Sequence, residues 1–198
     1  MSYQTLKHAV SARLDIKKSE FIAYAYPVTS REQAMFHVEY LRAQYADARH
    51  HCWAYIIGDP DNTTSAGFDD DGEPSGTAGR PILNVLQHKS IGNVIIIVVR
   101  YFGGIKLGAG GLTRAYAGSA QAAVDEMVLL PYVPMAQVQI IAEFATEAQC
   151  RYVVEDLGGH IDDVTYSKQV TLTVTLAEAD IDRLKKRLAM DGRVLESL

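Results

Sequence analysis

Val94-Ile95-Ile96-Ile97-Val98-Val99 is an unbroken β-branched run in the middle of the chain. Such side chains are stiff at χ1 and suit a pleated strand. The run shows no alternation with polar residues, so both of its faces must be covered. It is far too short to span a bilayer, which takes about 20 apolar residues as a helix. A chain with this strand has to build a sheet around it and cover that sheet with other elements.

The flanking sequence supplies candidates. Residues 8–16 and 20–28 read as strands joined near Asp15-Ile16-Lys17-Lys18, and residues 52–57 read as a third. Ser30 followed by Gln33 has the capping-box spacing, and Ala34, Val38, Leu41 and Tyr45 give the following helix an apolar stripe. A short helix is expected over residues 81–88. A long one carries Leu112, Ala115, Tyr116, Ser119, Ala120, Ala123, Val124 and Met127 on one side. Pro131 and Pro134 punctuate its end, which divides the chain into domains of residues 1–131 and 132–198. The second part reads strand 136–144, helix 147–157, strands 161–166 and 170–176, helix 179–190 and strand 193–198. Thr146 and Gln149 form another capping-box pattern. This β-α-β-β-α-β order is the ferredoxin-like plan, so the expected class is α+β.

Charge narrows the function. The formal net charge is −5, which argues against a broad basic coat for nucleic acid. Residues 1–130 carry 12 basic and 13 acidic side chains, and residues 131–198 carry 7 and 11. The first part is the better place for a local phosphate-binding patch. Cys52 and Cys150 form no CxxC pair and no disulfide framework. No apolar leader opens the chain, so no membrane partner is expected and a cytoplasmic setting is.

Two glycine-rich stretches concentrate the unusual chemistry. One runs DDGEPSGTAGRP over residues 70–81, the other VVRYFGGIKLGAGGLTRAY over residues 98–116. Together with RHHC at residues 49–52, these strings closely resemble the signatures of the YigZ/IMPACT family, most strongly over residues 15–130. The resemblance implies a first domain like domain IV of elongation factor G, a β-sheet with helices on one face, in a fold shared with the GHMP small-molecule kinases. It implies a second domain like the ferredoxin-like domain V of that factor. Eukaryotic IMPACT members modulate a translation-control kinase pathway, largely through an additional N-terminal RWD domain. The shared region begins too near Met1 to leave room for one, so that kinase-pathway partner is not expected.

The basic stretch is a candidate anion or nucleic-acid seat. Gly104, Gly108, Gly110 and Gly111 lead into the long helix, whose first N–H groups and dipole favour negative charge. Arg80, Arg100, Lys106 and Arg114 can add charge-assisted contacts. GHMP kinases hold phosphate with a comparable loop, but no Gly-Lys-Ser/Thr ending makes this a P-loop. Pure architecture, with glycines serving tight turns and close packing, stays open beside it.

His50, His51, Asp69, Asp70, Asp71, Glu73 and Thr77 form a second, polar group. The acids can ligate a divalent cation, cap the helix that starts near Thr77, or pair with Arg100 or Arg114. Their spacing is not an EF-hand, and no metal or cofactor is expected. His50 and Cys52 share one face of a strand and His51 takes the other, which makes a Cys52 nucleophile conceivable, with Ser75 or Thr77 as alternatives. No recognised catalytic motif accompanies them. Tyr101 and Phe102 are the better candidates for base stacking, since Trp53 and Tyr55 read as core. In the second domain, Thr171, Thr173 and Thr175 face with Gln137, Gln139, Ile141 and Glu143, and no aromatic pair suits an RNA-binding sheet.

Three functions fit these residues. The leading expectation is a non-enzymatic, translation-linked protein that contacts RNA or the ribosome through the basic glycine loop. The second is an enzyme or sensor for a phosphorylated small molecule, with Asp70, Asp71 or Glu73 as base or Mg²⁺ ligand. The third is a protein-docking module.

Overall fold

The computed structural model describes residues 3–196. The chain divides into two compact units, Met1–Tyr132 and Val133–Leu198. Each is α+β, and among the described residues no helix is long and apolar enough to cross a membrane.

In the first unit, β1 (Gln4–Leu6) is followed by the hairpin β2 (Val10–Ile16) and β3 (Ser19–Pro27). Then come α1 (Arg31–Gln44), β4 (His50–Asp59), β5 (Asn62–Asp69), α2 (Gly79–His88), β6 (Ile91–Gly92), β7 (Val94–Tyr101), α3 (Ala109–Asp125) and β8 (Leu129–Pro131). The main sheet runs β2-β3-β7-β4-β5, with every pair antiparallel. The β-branched run is the central strand, and residues 94–99 are fully buried. Burial of each such side chain contributes roughly 1.5–3 kcal/mol relative to exposure.

The two faces of β7 enter different cores. Val94, Ile96 and Val98 pack with Phe21, Cys52, Ile82, Leu112, Tyr116 and Ala120, under α2 and α3. Ile95 and Ile97 pack with Trp53, Tyr55, Ala34, Val38 and Leu41, under α1. The expectation of helices on one face is corrected here. Both residue sets of β7 are apolar, so α1 has to cover the second face. The small residues of α3 let it lie close to β2 and β3.

Three short strands and one edge strand were not expected. β6-β1-β8 is a small sheet of two- and three-residue strands, with β1 parallel to β6. These segments are too short to show periodicity. β5 is an edge strand, mostly solvent-facing, whose Asn-Thr-Thr-Ser start lacks apolar alternation. It places Asp69 at a strand end rather than in a loop. The Ser30 hydroxyl accepts from Gln33 N at 3.3 Å, but the Gln33 side chain accepts from Thr29 N at 2.8 Å. The expected capping box is therefore displaced by one residue on its return bond.

The second unit contains β9 (Met135–Ala142), α4 (Glu147–Asp156), β10 (His160–Tyr166), β11 (Val170–Ala177), α5 (Ile181–Arg187) and β12 (Gly192–Glu196). Its strand order β10-β11-β9-β12 is the ferredoxin-like arrangement. Residues 197–198 of the expected last strand lie outside the described residues. Thr171, Thr173 and Thr175 pair with Ile141, Gln139 and Gln137, while Val170, Leu172, Val174 and Leu176 fill the core. Thr146 does not cap α4. Its hydroxyl donates to the carbonyls of Glu143 and Asp191 instead.

The basic loop is anchored to the β2–β3 turn. Gly103 N donates to Ser19 Oγ at 3.1 Å, and a Cβ on Gly103 would lie 1.9 Å from the Lys18 carbonyl oxygen. Gly103→Ala is expected to destabilise the protein by about 1–3 kcal/mol in urea unfolding. Gly110→Ala, whose Cβ meets nothing closer than Arg114 Nη1 at 3.6 Å, is expected to be neutral or to stabilise by up to about 1 kcal/mol.

Candidate functional site

Near the end of strand β7 stands Arg100, which keeps the side-chain direction of Val94, Ile96 and Val98 and so points toward α3. It is only 5% exposed. Its guanidinium stacks between the rings of Phe21 and Phe102, 5.4 and 5.6 Å from their centroids. Burial at this level requires a counter-charge, and the acidic stretch supplies Glu73, whose side chain is 5% exposed and ion-paired with Arg100 Nη1. The same Glu73 oxygen accepts from the Tyr116 hydroxyl at 2.8 Å. The Cys52 thiol donates to Tyr116 at 3.3 Å and to the Asp70 carbonyl at 3.0 Å. This network joins the sheet, α3 and the acidic stretch.

The three adjacent aspartates serve the backbone. Asp70 Oδ1 accepts from Ala78 N and Gly79 N, both at 2.9 Å, and its Oδ2 accepts from Gly76 N at 2.7 Å. It thereby caps α2 from a distance. Asp71 accepts from His51 N at 2.6 Å and from Arg42 Nη2 at 2.9 Å. Asp69 accepts from Asp71 N at 2.7 Å. The Thr77 hydroxyl donates to the Pro74 carbonyl at 2.6 Å. The carboxylates diverge toward these partners. Among the described residues no three His, Cys, Asp or Glu side chains assemble as a metal ligand set.

The cysteine-nucleophile reading is corrected. Cys52 is fully buried, and desolvation pushes its thiol well above the ordinary value of 9.0. His50, on the same face, turns instead to the Asp71 carbonyl, 2.8 Å from its Nδ1. His51 is buried on the other face, where desolvation lowers its pKa and keeps the ring neutral. Asp70, Asp71 and Glu73 are all engaged in hydrogen bonds or ion pairs within the fold.

One pocket of about 330 Å³ gathers what remains. It is lined by Arg49, His50, Glu73, Arg100, Phe102, Lys106, Leu107, Gly108 and Leu112, among others. Gly108 is the N-cap of α3 at φ 72, and no side chain caps that terminus. Among the described residues, Arg49 and Lys106 have neither ion pair nor hydrogen-bond partner. Gly104, Gly110, Gly111, Arg114 and Arg80 do not line the pocket. Arg80 lies over the Phe68 ring, 5.6 Å from its centroid. Arg49 was visible only as part of RHHC. Tyr116 was legible only as a core position, since nothing in its spacing signals a bond to Glu73. Of the expected stacking pair, Phe102 is the exposed ring at 49%, while Tyr101 donates to Asp47 at 2.8 Å.

Two outcomes follow from the network. Glu73→Gln leaves the Arg100 charge buried without a counter-charge and is expected to cost about 3–5 kcal/mol in chemical denaturation. Burial also raises the Tyr116 hydroxyl above its ordinary value of 10.0. As pH rises through 9.0 and 10.0 the unfolded chain releases the Cys52 and Tyr116 protons first. The folded state then holds more protons, and stability present below that window declines through it. Unfolding curves of the wild type are expected to show a steeper alkaline decline than those of Cys52→Ala.

Residues 17–124 match the model of the Impact N-terminal domain. Residues 140–189 match a domain of unknown function, DUF1949. IMPACT family member YigZ of Escherichia coli (strain K12) is 37% identical over 175 residues, which is 88% of this chain and 86% of that protein. IMPACT family member YvyE of Bacillus subtilis (strain 168) is 34% identical over 179 residues, 90% and 82% of the two chains. A solved crystal structure of a protein described as hypothetical aligns at a TM-score of 0.77 and 33% identity, over 100% of this chain and 98% of that one. On the extent of these matches the chain belongs to the IMPACT family.

Proposed function

We propose that this chain is a cytoplasmic, translation-linked regulatory protein that binds single-stranded RNA, with a phosphate seated in the pocket at the start of α3. The observation that carries the reading is an imbalance of partners. Every acid of the neighbouring stretch is engaged within the fold, whereas Arg49 and Lys106 face the same pocket with none. Between them lies an uncapped helix N-terminus, whose N–H groups and dipole attract an anion. Arg100 adds a second indication. It lines the pocket, is 5% exposed, and among the described residues its Nε has no hydrogen-bond partner.

The translation link comes from membership of a family whose eukaryotic members act in translation control. RNA is the phosphate-bearing polymer of that process. The positive seat is small, in keeping with a first domain that carries little net charge. Binding is therefore local rather than a coat along a duplex.

The test is a salt series with a labelled single-stranded RNA. Lys106 on the seated phosphate and Arg49 on the neighbouring one of the strand neutralise two phosphates, which gives a slope of about −1.4 in log K against log salt. Arg49→Ala and Lys106→Ala are each expected to weaken binding and to reduce that slope by about 0.7. Both residues are exposed, so neither change touches the buried network. Absence of binding at low salt, or binding indifferent to both substitutions, overturns the proposal.

A further inference from the structure

His50 has a defined tautomer. Its Nδ1 lies 2.8 Å from the Asp71 carbonyl oxygen, which can only accept. Neutral His50 therefore carries its proton on Nδ1, and Nε2 presents a lone pair. A Cβ on Gly72 would meet the Cε1 and Nδ1 atoms of the ring at 3.6 Å, so that edge lies against the acidic stretch. Among the described residues Nε2 has no hydrogen-bond partner, and the residue lines the pocket.

The same pocket offers two other chemistries. Phe102 stands at its rim, half-exposed, with one face backed by the Arg100 guanidinium. That leaves the other face for a flat ring, and Leu107 and Leu112 extend the apolar wall. Lys106 and the α3 terminus hold the anion seat described above, and Arg49 lines the same pocket. The volume, about 330 Å³, is at the small end for ligand sites and suits a single compact ligand.

A ligand that satisfies all three has an anionic group, an aromatic plane and a hydroxyl donor between them. We infer that the pocket holds one ribonucleotide unit: phosphate at the α3 terminus and Lys106, base against Phe102, and the ribose 2′-hydroxyl donating to His50 Nε2. This rests on the phosphate seat proposed above and deepens it. His50 becomes the group that distinguishes ribose from deoxyribose, because only the 2′-hydroxyl is missing from the latter. The unit has two sources, a free ribonucleoside monophosphate or an unpaired residue of an RNA strand.

The experiment uses the full chain with ¹⁵N-labelled histidine. Uridine 5′-monophosphate, its 2′-deoxy counterpart, inorganic phosphate, and uridine and deoxyuridine decamers are titrated in turn. The ribose form is expected to bind about two- to tenfold more tightly than the deoxy form, the range of one hydrogen bond. Its binding is expected to shift the His50 Nε2 resonance, assigned by its loss in His50→Leu. The ribose preference is expected to vanish in His50→Leu, and Phe102→Ala is expected to weaken the nucleotides while leaving inorganic phosphate unchanged. A preference shown by the monophosphate identifies the free nucleotide as a sufficient source. A preference confined to the decamers identifies the RNA strand. Equal binding of ribose and deoxyribose forms, or of phosphate and nucleotide, overturns the ribonucleotide assignment and leaves the phosphate seat standing. No binding by any of the probes overturns both. The comparison of ligands needs no variant, so it holds even where His50→Leu fails to fold.

Discussion

The buried pair of Arg100 and Glu73 is the contact on which the site depends. It sits where the central strand leaves the core, between two aromatic rings, and it takes one member from β7 and the other from the acidic stretch. A buried ion pair adds little net stability over a packed apolar pair, but loss of either partner strands a charge. Its effect is therefore positional. With Glu73 held by Arg100 and Tyr116, the stretch from Asp69 to Gly79 has one path across the end of the sheet. Asp70 and Asp71 then fall where they meet α2 and β4.

The same arrangement separates charges that are close in the sequence. Four acids precede α2, and each meets a backbone amide or a cation of the fold. The cations split into two groups. Arg100 and Arg42 are neutralised within the fold, while Arg49 and Lys106 face the pocket unpaired. A protein with a negative total thus acquires a positive spot at a helix N-terminus. Net charge averages over such a spot, which explains why composition alone speaks against a nucleic-acid coat and says nothing of a single seat.

Much of the fold is legible in the residues. The β-branched run of β7, the small-residue stripe of α3 and the Val-Thr alternation of β11 each carry a period that one physical requirement explains. What escapes is short or non-local. β1 and β6 lie far apart in the sequence and pair in only two registered positions. β5 lies at an edge, where solvent on one side removes the apolar signal. The second helical layer was foreshadowed by the two apolar faces of β7. A one-faced arrangement does not meet that demand.

The site divides in the same way. Sequence alone determined that acids and bases gather around two glycine-rich stretches, that one of them opens a helix, and that the neighbouring strand carries His50 and His51 on opposite faces. These follow from local spacing and backbone preference. Tertiary structure decided which of those residues remain available. Arg114 and Arg80 stayed outside the pocket, Arg100 and Glu73 closed on each other, and Arg49, His50, Phe102 and Lys106 came to one cavity from two separate segments. Pairing depends on distances between segments far apart in the chain, and those distances exist only once the sheet has formed.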